Sequence, residues 1–311
     1  MALFAVDKPL GVTSHDVVDI ARDRLGTRRV GHTGTLDPLA TGVLVIASDS
    51  STKLVPFLSA EDKEYLAWVS FGATTPTLDA EGQVSGEAPV KFGRRELLAA
   101  LPRFLEIHEQ VPPAYSAVKV AGRRAYDAAR KGQSLVLSAR PVRYLEAELL
   151  AFDRGPAAYR IAPSPAGWKI AERGRPVTLP PVLGPYPTAV IRLVVGSGTY
   201  VRSFARDLGE QLLTKAFLAG LVRTRVGRID LARTISPQEI SMARAIADLE
   251  ALSCPVVELA QADAKKVLEG VPLPIPAQGA VALVDSRRKL LAMAEGDGFK
   301  LKIKRVFKPQ A

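Results

Sequence analysis

One acid in this chain is set up for chemistry. In Gly31-His32-Thr33-Gly34-Thr35-Leu36-Asp37-Pro38-Leu39-Ala40-Thr41-Gly42, a single carboxylate sits in a loop of glycines and threonines and is followed directly by proline. Proline disfavours the helical region for the residue before it, so Asp37 is expected in an extended, stiffened backbone. Gly31, Gly34 and Gly42 let the flanking turns bring main chain close to a ligand. A carboxylate fixed in this way suits covalent catalysis as a nucleophile. Two further clusters could carry charge to a partner. Arg202 and Arg206 fall one helical turn apart beside the apolar stripe Val201, Phe204, Ala205, Leu208 and Leu212, where they can point together at something negative. Between Gly122 and Gly132, Arg123, Arg124, Arg130 and Lys131 surround Tyr126 on what reads as a short helix.

The elements that must position these groups follow from local pattern. Leu3 to Asp7 reads as a short strand ending in the turn Lys8-Pro9-Leu10-Gly11. A helix is expected next, with Ser14 as N-cap, Asp16 in its first turn, Val17, Ile20 and Ala21 as its apolar stripe, and Gly26 as C-cap. Val43 to Ala47 is wholly apolar, a strand buried on both faces. From Glu64 to Phe71 the alternation puts Tyr65, Ala67, Val69 and Phe71 on one face and Leu66, Trp68 and Ser70 on the other, which predicts a central strand. Residues 73–89 read as a loop, and Arg94 to Phe104 as a helix. Between Asp153 and Pro187 prolines and glycines recur without a period, which predicts an irregular insertion. Ala189 to Val195 is a strand, followed by a Gly196-Ser197-Gly198 turn and a helix with Thr199 as N-cap. Ser236-Pro237-Gln238-Glu239 closes the main domain. In the tail, Lys300-Leu301-Lys302-Ile303-Lys304 alternates, lining one face of a strand with lysines, as an edge guarded against aggregation or as an RNA contact.

With 311 residues, 47% of them hydrophobic, the chain can bury one substantial core and a smaller second domain without staples. Its single cysteine, Cys254, rules out an internal disulfide or a cysteine-rich zinc site, and its three histidines, His15, His32 and His108, are scattered. No metal or redox cofactor is expected. No apolar run suits a signal peptide or approaches the roughly 20 residues of a membrane span, so a cytoplasmic location is expected. The formal charge of +10 suits a polyanionic partner, since clustered lysine and arginine gain affinity by releasing counterions from phosphates.

At this point the motifs are recognisable: the chain resembles the TruB family of tRNA pseudouridine synthases. Asp7-Lys8-Pro9 with Gly11-Val12-Thr13-Ser14, followed by the twelve residues around Asp37, are similar to that family's N-terminal signature. Lys63-Glu64-Tyr65, Tyr115-Ser116-Ala117-Val118-Lys119, Gly198-Thr199-Tyr200-Val201-Arg202 and Leu221-Val222-Arg223-Thr224-Arg225-Val226-Gly227 follow in the family's order. The chain departs from the family pattern at Pro76, where an acid is usual, at Lys215-Ala216-Phe217, where a Gly-x-Ala-His run is usual, and in a longer 154–187 segment.

The resemblance implies an α+β pseudouridine synthase fold, a mixed, largely antiparallel sheet flanked by helices, over residues 1–240. It also implies a small C-terminal PUA-like RNA-binding β-barrel over 250–311. It implies isomerisation of uridine to pseudouridine at position 55 of the tRNA T-loop, without cofactor, on a base flipped out of the folded loop at a cost of about a few kcal/mol. Asp37 is the expected nucleophile, at C1′ of the sugar or C6 of the ring. Arg202 is expected to pair with it and favour its charged form. Tyr65 is expected to stack on the uracil and take or relay a proton, Tyr200 and Leu221 to complete the apolar grip, and His32 to fill the space the base vacates. Arg28, Arg29, Lys119, Arg123, Arg124, Arg130 and Lys131 are the expected RNA contacts, with residues 108–140 as a clamp over the T-stem-loop. A monomer without an obligate protein partner is expected. The alternatives are an RNA-folding helper and a guide-RNA-dependent relative.

Overall fold

In a computed structural model the described residues are 2–116, 118–120, 123–126, 135–154, 159–180 and 185–307. The chain opens with β1 (Ala2–Lys8) and α1 (Ser14–Leu25), then β2 (Val30–His32), β3 (Ala40–Ser48), α2 (Val55–Ala60) and β4 (Lys63–Phe71). After α3 (Arg94–Ala100), continued as a 3-10 helix over Leu101–Glu106, comes β5 (Tyr144–Arg154). The short strands β6 (Arg160–Ser164), β7 (Gly167–Ala171) and β8 (Arg175–Pro176) precede β9 (Pro187–Val195), α4 (Val201–Gln211) and β10 (Ala216–Val226). The C-terminal part holds β11 (Val256–Glu258), α5 (Gln261–Leu268), β12 (Gln278–Val284), β13 (Leu290–Asp297) and β14 (Leu301–Val306).

The main sheet runs β1-β3-β10-β4-β9-β5, and among the described strands on this path its one parallel pairing is β3 with β10, where Ala40 lies opposite Leu221 and Gly42 opposite Arg223. β4 is central, as its apolar alternation predicts: Tyr65, Ala67, Val69 and Phe71 enter the cluster on the front face with helices α1, α3 and α4. Leu66 and Trp68 enter the cluster on the back. Trp68 and Phe217 are fully buried there, and burial of a large apolar side chain contributes about 1.5–3 kcal/mol each. Phe217 therefore departs from the family pattern on the face opposite the Asp37 loop, edge-on to Tyr186. The C-terminal strands pair in the order β11-β12-β13-β14, with Leu273 bridging Leu301 at the outer edge. Met293 and Phe307 from this part join the back cluster.

Several local expectations are corrected. The N-cap of α1 is Thr13: its hydroxyl accepts the Asp16 N–H (3.1 Å) and the Asp16 carboxylate accepts the Thr13 N–H (2.7 Å), a reciprocal capping box. Ser14, one residue on, is freed for another task. Gly26 does end α1, in the left-handed region with φ 63°. The N-cap of α4 is Tyr200, and the Thr199 hydroxyl donates instead to Gly196 O at 3.1 Å. Arg123–Arg124 pairs as a strand with Lys119–Val120, so the helical turn begins only at Ala125. Arg130 and Lys131 lie outside the described residues. The 154–187 segment is not irregular where it is described. It folds as the sheet β7-β6-β8 and buries Tyr159, Ile161, Trp168 and Val177 against the back of the main sheet.

Candidate active site

β2 leads into the Asp37 loop beside β3, with His32 opposite Ile46 and the Thr33 N–H donating to Val45 O at 3.0 Å. Three side chains hold that loop from below. The Ser14 hydroxyl, released from capping, donates to Leu36 O (3.0 Å) and accepts the Leu36 N–H (2.8 Å), fixing the residue before Asp37. Buried Arg223, on β10, donates from Nε to Val43 O (2.7 Å) and from its terminal nitrogens to Gly34 O (3.0 Å) and Thr35 O (3.5 Å). Fully buried Lys8, at the end of β1, donates to Val12 O (2.6 Å), Pro9 O (2.9 Å) and Pro38 O (3.5 Å). Burial pulls the Lys8 ammonium down to about 8, against the opposing pull of the Asp37 charge. Gly42 is required by contact: it has φ +98°, and a Cβ there would lie 2.3 Å from the Arg223 carbonyl oxygen.

The first turn of α4 brings Arg202 to this loop. Its Nε sits 2.9 Å from the Asp37 Oδ2. One terminal nitrogen donates to Thr77 O (3.0 Å) and lies 3.5 Å from the Asp79 Oδ2, and the other donates to Tyr115 O (2.9 Å). The planar guanidinium thus links two carboxylates and two carbonyls that a point charge could not reach together. Asp79 is 2% exposed, and its carboxylate also accepts the Thr77 hydroxyl (2.6 Å) and the Glu81 N–H (3.1 Å). Burial raises the Asp79 carboxyl above its ordinary range, and burial with the Asp79 charge does the same to Glu81. The segment turns inward at Leu78, which has φ +61°, a conformation a branched side chain rarely adopts. The expected partnership of Arg202 with Arg206 does not form, because Arg206 turns away to Asp207 (2.7 Å) and Val111 O (3.0 Å).

Above the pair opens a cavity of about 700 Å³ lined by Asp37, Tyr65, Arg202, Tyr200 and Leu221, and also by Lys63, Tyr115 and Tyr126. Tyr65 reaches it from β4, opposite Arg223 on one neighbouring strand and Leu193 on the other. The Tyr200 main chain is pinned by its N–H to Gln110 Oε1 (2.9 Å), and burial raises its hydroxyl above the usual range. Lys63 donates to Ser59 O (2.6 Å) and Glu61 O (2.5 Å) at the end of α2, and burial pulls it down to about 8. The cavity thus combines a carboxylate, a tyrosine and an apolar wall, which suits a flat, partly polar ring.

His32 is half-buried on β2 and is not among the residues lining the cavity. Its Nδ1 accepts the Gly34 N–H at 3.2 Å, and burial first, then the Arg223 charge, holds it below the ordinary histidine range. A neutral ring in that state carries its proton on Nε2. Arg28 and Arg29 are exposed at the start of the same segment, and the main chain of Lys119, Arg123 and Arg124 lies in the two-stranded hairpin. Asp79, Arg223, Lys8 and Ser14 were not singled out for the site by sequence reasoning. Lys8 and Ser14 stand in the quoted signature, and Arg223 in the quoted segment after Leu221, but only contact reveals what they hold. Among the described residues no group of three or more histidine, cysteine, aspartate or glutamate side chains could hold a metal ion. No helix there is long and apolar enough to cross a membrane.

The chain is similar to known proteins over its whole length. A family model described as TruB family pseudouridylate synthase (N terminal domain) matches residues 22–166. A tRNA pseudouridine synthase B of Thermus thermophilus is 69% identical over 100% of both chains. A protein of the same name from Deinococcus deserti is 48% identical over 99% of this chain and 100% of its own. The one from Mycobacterium bovis is 36% identical over 99% and 96%. Among solved structures, a Cbf5-Nop10-Gar1 complex superposes with a TM-score of 0.68 at 22% identity, covering 99% of this chain and 85% of that one. An H/ACA RNP bound to a substrate RNA containing 2'-deoxyuridine gives 0.64 at 20% identity, over 99% and 85%. At these identities the two structures bear on the fold alone.

Proposed function

From the premise that this chain belongs to the TruB family of tRNA pseudouridine synthases, we propose that it isomerises uridine to pseudouridine at position 55 of the tRNA T-loop, with Asp37 as nucleophile. The observation that carries this reading is the Asp37–Arg202 pair at 2.9 Å, which lines one cavity with Tyr65.

The reaction breaks the N1–C1′ bond, turns the uracil and joins C5 to C1′, with no net redox change. The carboxylate of Asp37 attacks C1′ of the sugar, displacing uracil through N1 and being displaced in turn as C5 bonds to C1′, or adds to C6 of the ring and is expelled after the C5–C1′ bond has formed. Arg202 aims that carboxylate. Tyr65 stacks on the uracil, and its hydroxyl takes or relays the C5 proton. Tyr200 and Leu221 hold the detached ring against rotation out of the cavity. To reach them the base flips out of the loop, at a cost of about a few kcal/mol, and His32 occupies the vacated stack from its place beside the loop.

Arg28, Arg29, Lys119, Arg123, Arg124, Arg130 and Lys131 supply phosphate contacts, with residues 108–140 closing over the T-stem-loop. Residues 250–311 act as a PUA-like RNA-binding domain, for which exposed Lys302 and Lys304 on β14 are suited. The enzyme acts in the cytoplasm as a monomer without cofactor.

The test is tritium release from a tRNA transcript labelled at uridine C5, with no metal or nucleotide added. The natural protein should release it. Asp37→Asn should bind the transcript and release none; undiminished release by that variant would sink the assignment.

A further inference from the structure

Tyr65 and Arg223, which line the cavity, and Lys8, which holds Pro38 beneath it, each have a sequence neighbour engaged behind the site. Lys8, which donates to Pro38 O, follows Asp7. The Asp7 carboxylate accepts Arg175 as a fork, Nε to Oδ2 at 3.0 Å and a terminal nitrogen to Oδ1 at 2.7 Å. Tyr65 follows Glu64, whose Oε1 accepts the Trp168 N–H at 3.1 Å. Arg223, which holds Gly34 and Thr35, precedes Thr224, whose hydroxyl donates to that same Glu64 oxygen at 2.8 Å.

Arg175 and Trp168 both belong to the β6-β7-β8 insertion. Side chains on a strand alternate faces, so a contact fixed on the back at positions 7 and 64 also sets the pleat that aims positions 8 and 65 to the front, while Thr224, at the register shift between Arg223 and Arg225, ties β10 to the same Glu64. The fit at the back is close. Gly167 has φ +114°, and a Cβ there would stand 2.6 Å from the Glu64 Oε2. The Trp168 indole N–H donates to the Asp230 carboxylate at 2.9 Å, and its ring is buried in the back cluster with Ile161 and Val177. Glu64 is 2% exposed and lies 3.6 Å from Arg192, so the carboxylate that receives the insertion is itself held.

We propose that the 159–177 insertion is a brace that holds β1 and β4 in place behind the reacting groups. Arg175 is a positioning residue for the Asp37 loop through Asp7 and Lys8, and Glu64 is one for Tyr65. The inference rests on the proposed isomerase reading.

The test uses the full chain with Arg175→Met, which keeps the aliphatic stem and removes the fork, and Arg175→Lys, which restores one charged donor. Single-turnover tritium release at saturating transcript, transcript Kd and Tm are measured, all rates well below each variant's Tm. Arg175→Met should slow release by about tenfold or more while Kd stays within about twofold, and Arg175→Lys should recover part of the loss. An unchanged rate with a lowered Tm would reduce the insertion to a stability element and overturn the brace. A weakened Kd with an unchanged rate would make it an RNA contact, also overturning it. Should Arg175→Met not fold, Asp7→Asn, which preserves shape, carries the same expectation. A natural protein that releases no tritium would overturn the isomerase reading and the brace with it; an active natural protein beside an undiminished Arg175→Met overturns the brace alone.

Discussion

Arg202→Lys keeps the charge and removes the geometry, which makes it the sharpest probe of the site. In the natural protein one guanidinium serves Asp37 at 2.9 Å, Thr77 O at 3.0 Å, Asp79 at 3.5 Å and Tyr115 O at 2.9 Å, using all three of its nitrogens. An ammonium is a single point with three donors and cannot span those four acceptors. If it stays with Asp37, the carbonyls of Thr77 and Tyr115 lose a partner. At about 1–3 kcal/mol for each group left buried and unpaired, a stability loss of about 2–6 kcal/mol follows, part of it recovered by water entering the cavity. If it sinks toward Asp79, the Asp37 carboxylate is no longer aimed. A displacement of about 1 Å costs on the order of a hundredfold in rate, which corresponds to about 2.7 kcal/mol of barrier. If guanidinium geometry aims the carboxylate, the second route holds, with a single-turnover rate down by about a hundredfold and transcript affinity within about threefold, since the pair lies at the proposed reacting atoms and not at the phosphates. A rate within about threefold of the natural protein would refute the claim that guanidinium geometry, and not merely positive charge, aims the carboxylate.

Gly42→Ala should lower stability by about 3 kcal/mol or more, read as a Tm loss, because the new Cβ would meet the Arg223 carbonyl at 2.3 Å with φ at +98°; an unchanged Tm would contradict the close approach of β3 and β10. Lys63 carries a pH signature. Burial holds its ammonium at about 8 against 10.5 in the free side chain, so between those values the unfolded chain binds more protons and stability rises with pH. Lys63→Met should flatten that rise in the unfolding free energy between pH 8 and 10.5, and a steeper slope in the variant would count against the burial argument. Asp37→Asn should leave Tm and transcript affinity near those of the natural protein while abolishing tritium release.

Much of the fold was legible because strong local patterns met no competition. The two-faced apolar alternation of β4 can be satisfied only between two clusters, and it is. Gly26 ends α1 as its lack of a Cβ allows. The misreadings occur where a side chain had two possible partners. Thr13 and Ser14 are both good caps, and the choice fell to Thr13 because Leu36, twenty-two residues away, claims the Ser14 hydroxyl at both its N–H and its carbonyl. The insertion read as irregular because its strands are short and depend on Trp168 and Ile161 docking on a sheet formed elsewhere in the chain. Asp37, Arg202 and Tyr65 were legible because each stands in a recognisable run. Asp79 was not, because its meaning lies in an arginine 123 positions later and in a backbone reversal at Leu78.

The position of β10 has a consequence for how the molecule comes into being. β3 and β4 are neighbours in the sequence but not in the sheet, because β10 lies between them. Until residues 216–226 have emerged from the ribosome, both strands present open edges, one beside the Asp37 loop and the other bearing Tyr65. β10 pairs with both, setting Leu221 opposite Ala40 and Ala67 and Arg223 opposite Gly42 and Tyr65. Such late, long-range pairing is slow and leaves adhesive edges during synthesis. The nascent chain therefore has no partial site: Asp37 and Tyr65 come to line one cavity only when a segment made long after both has paired between their strands.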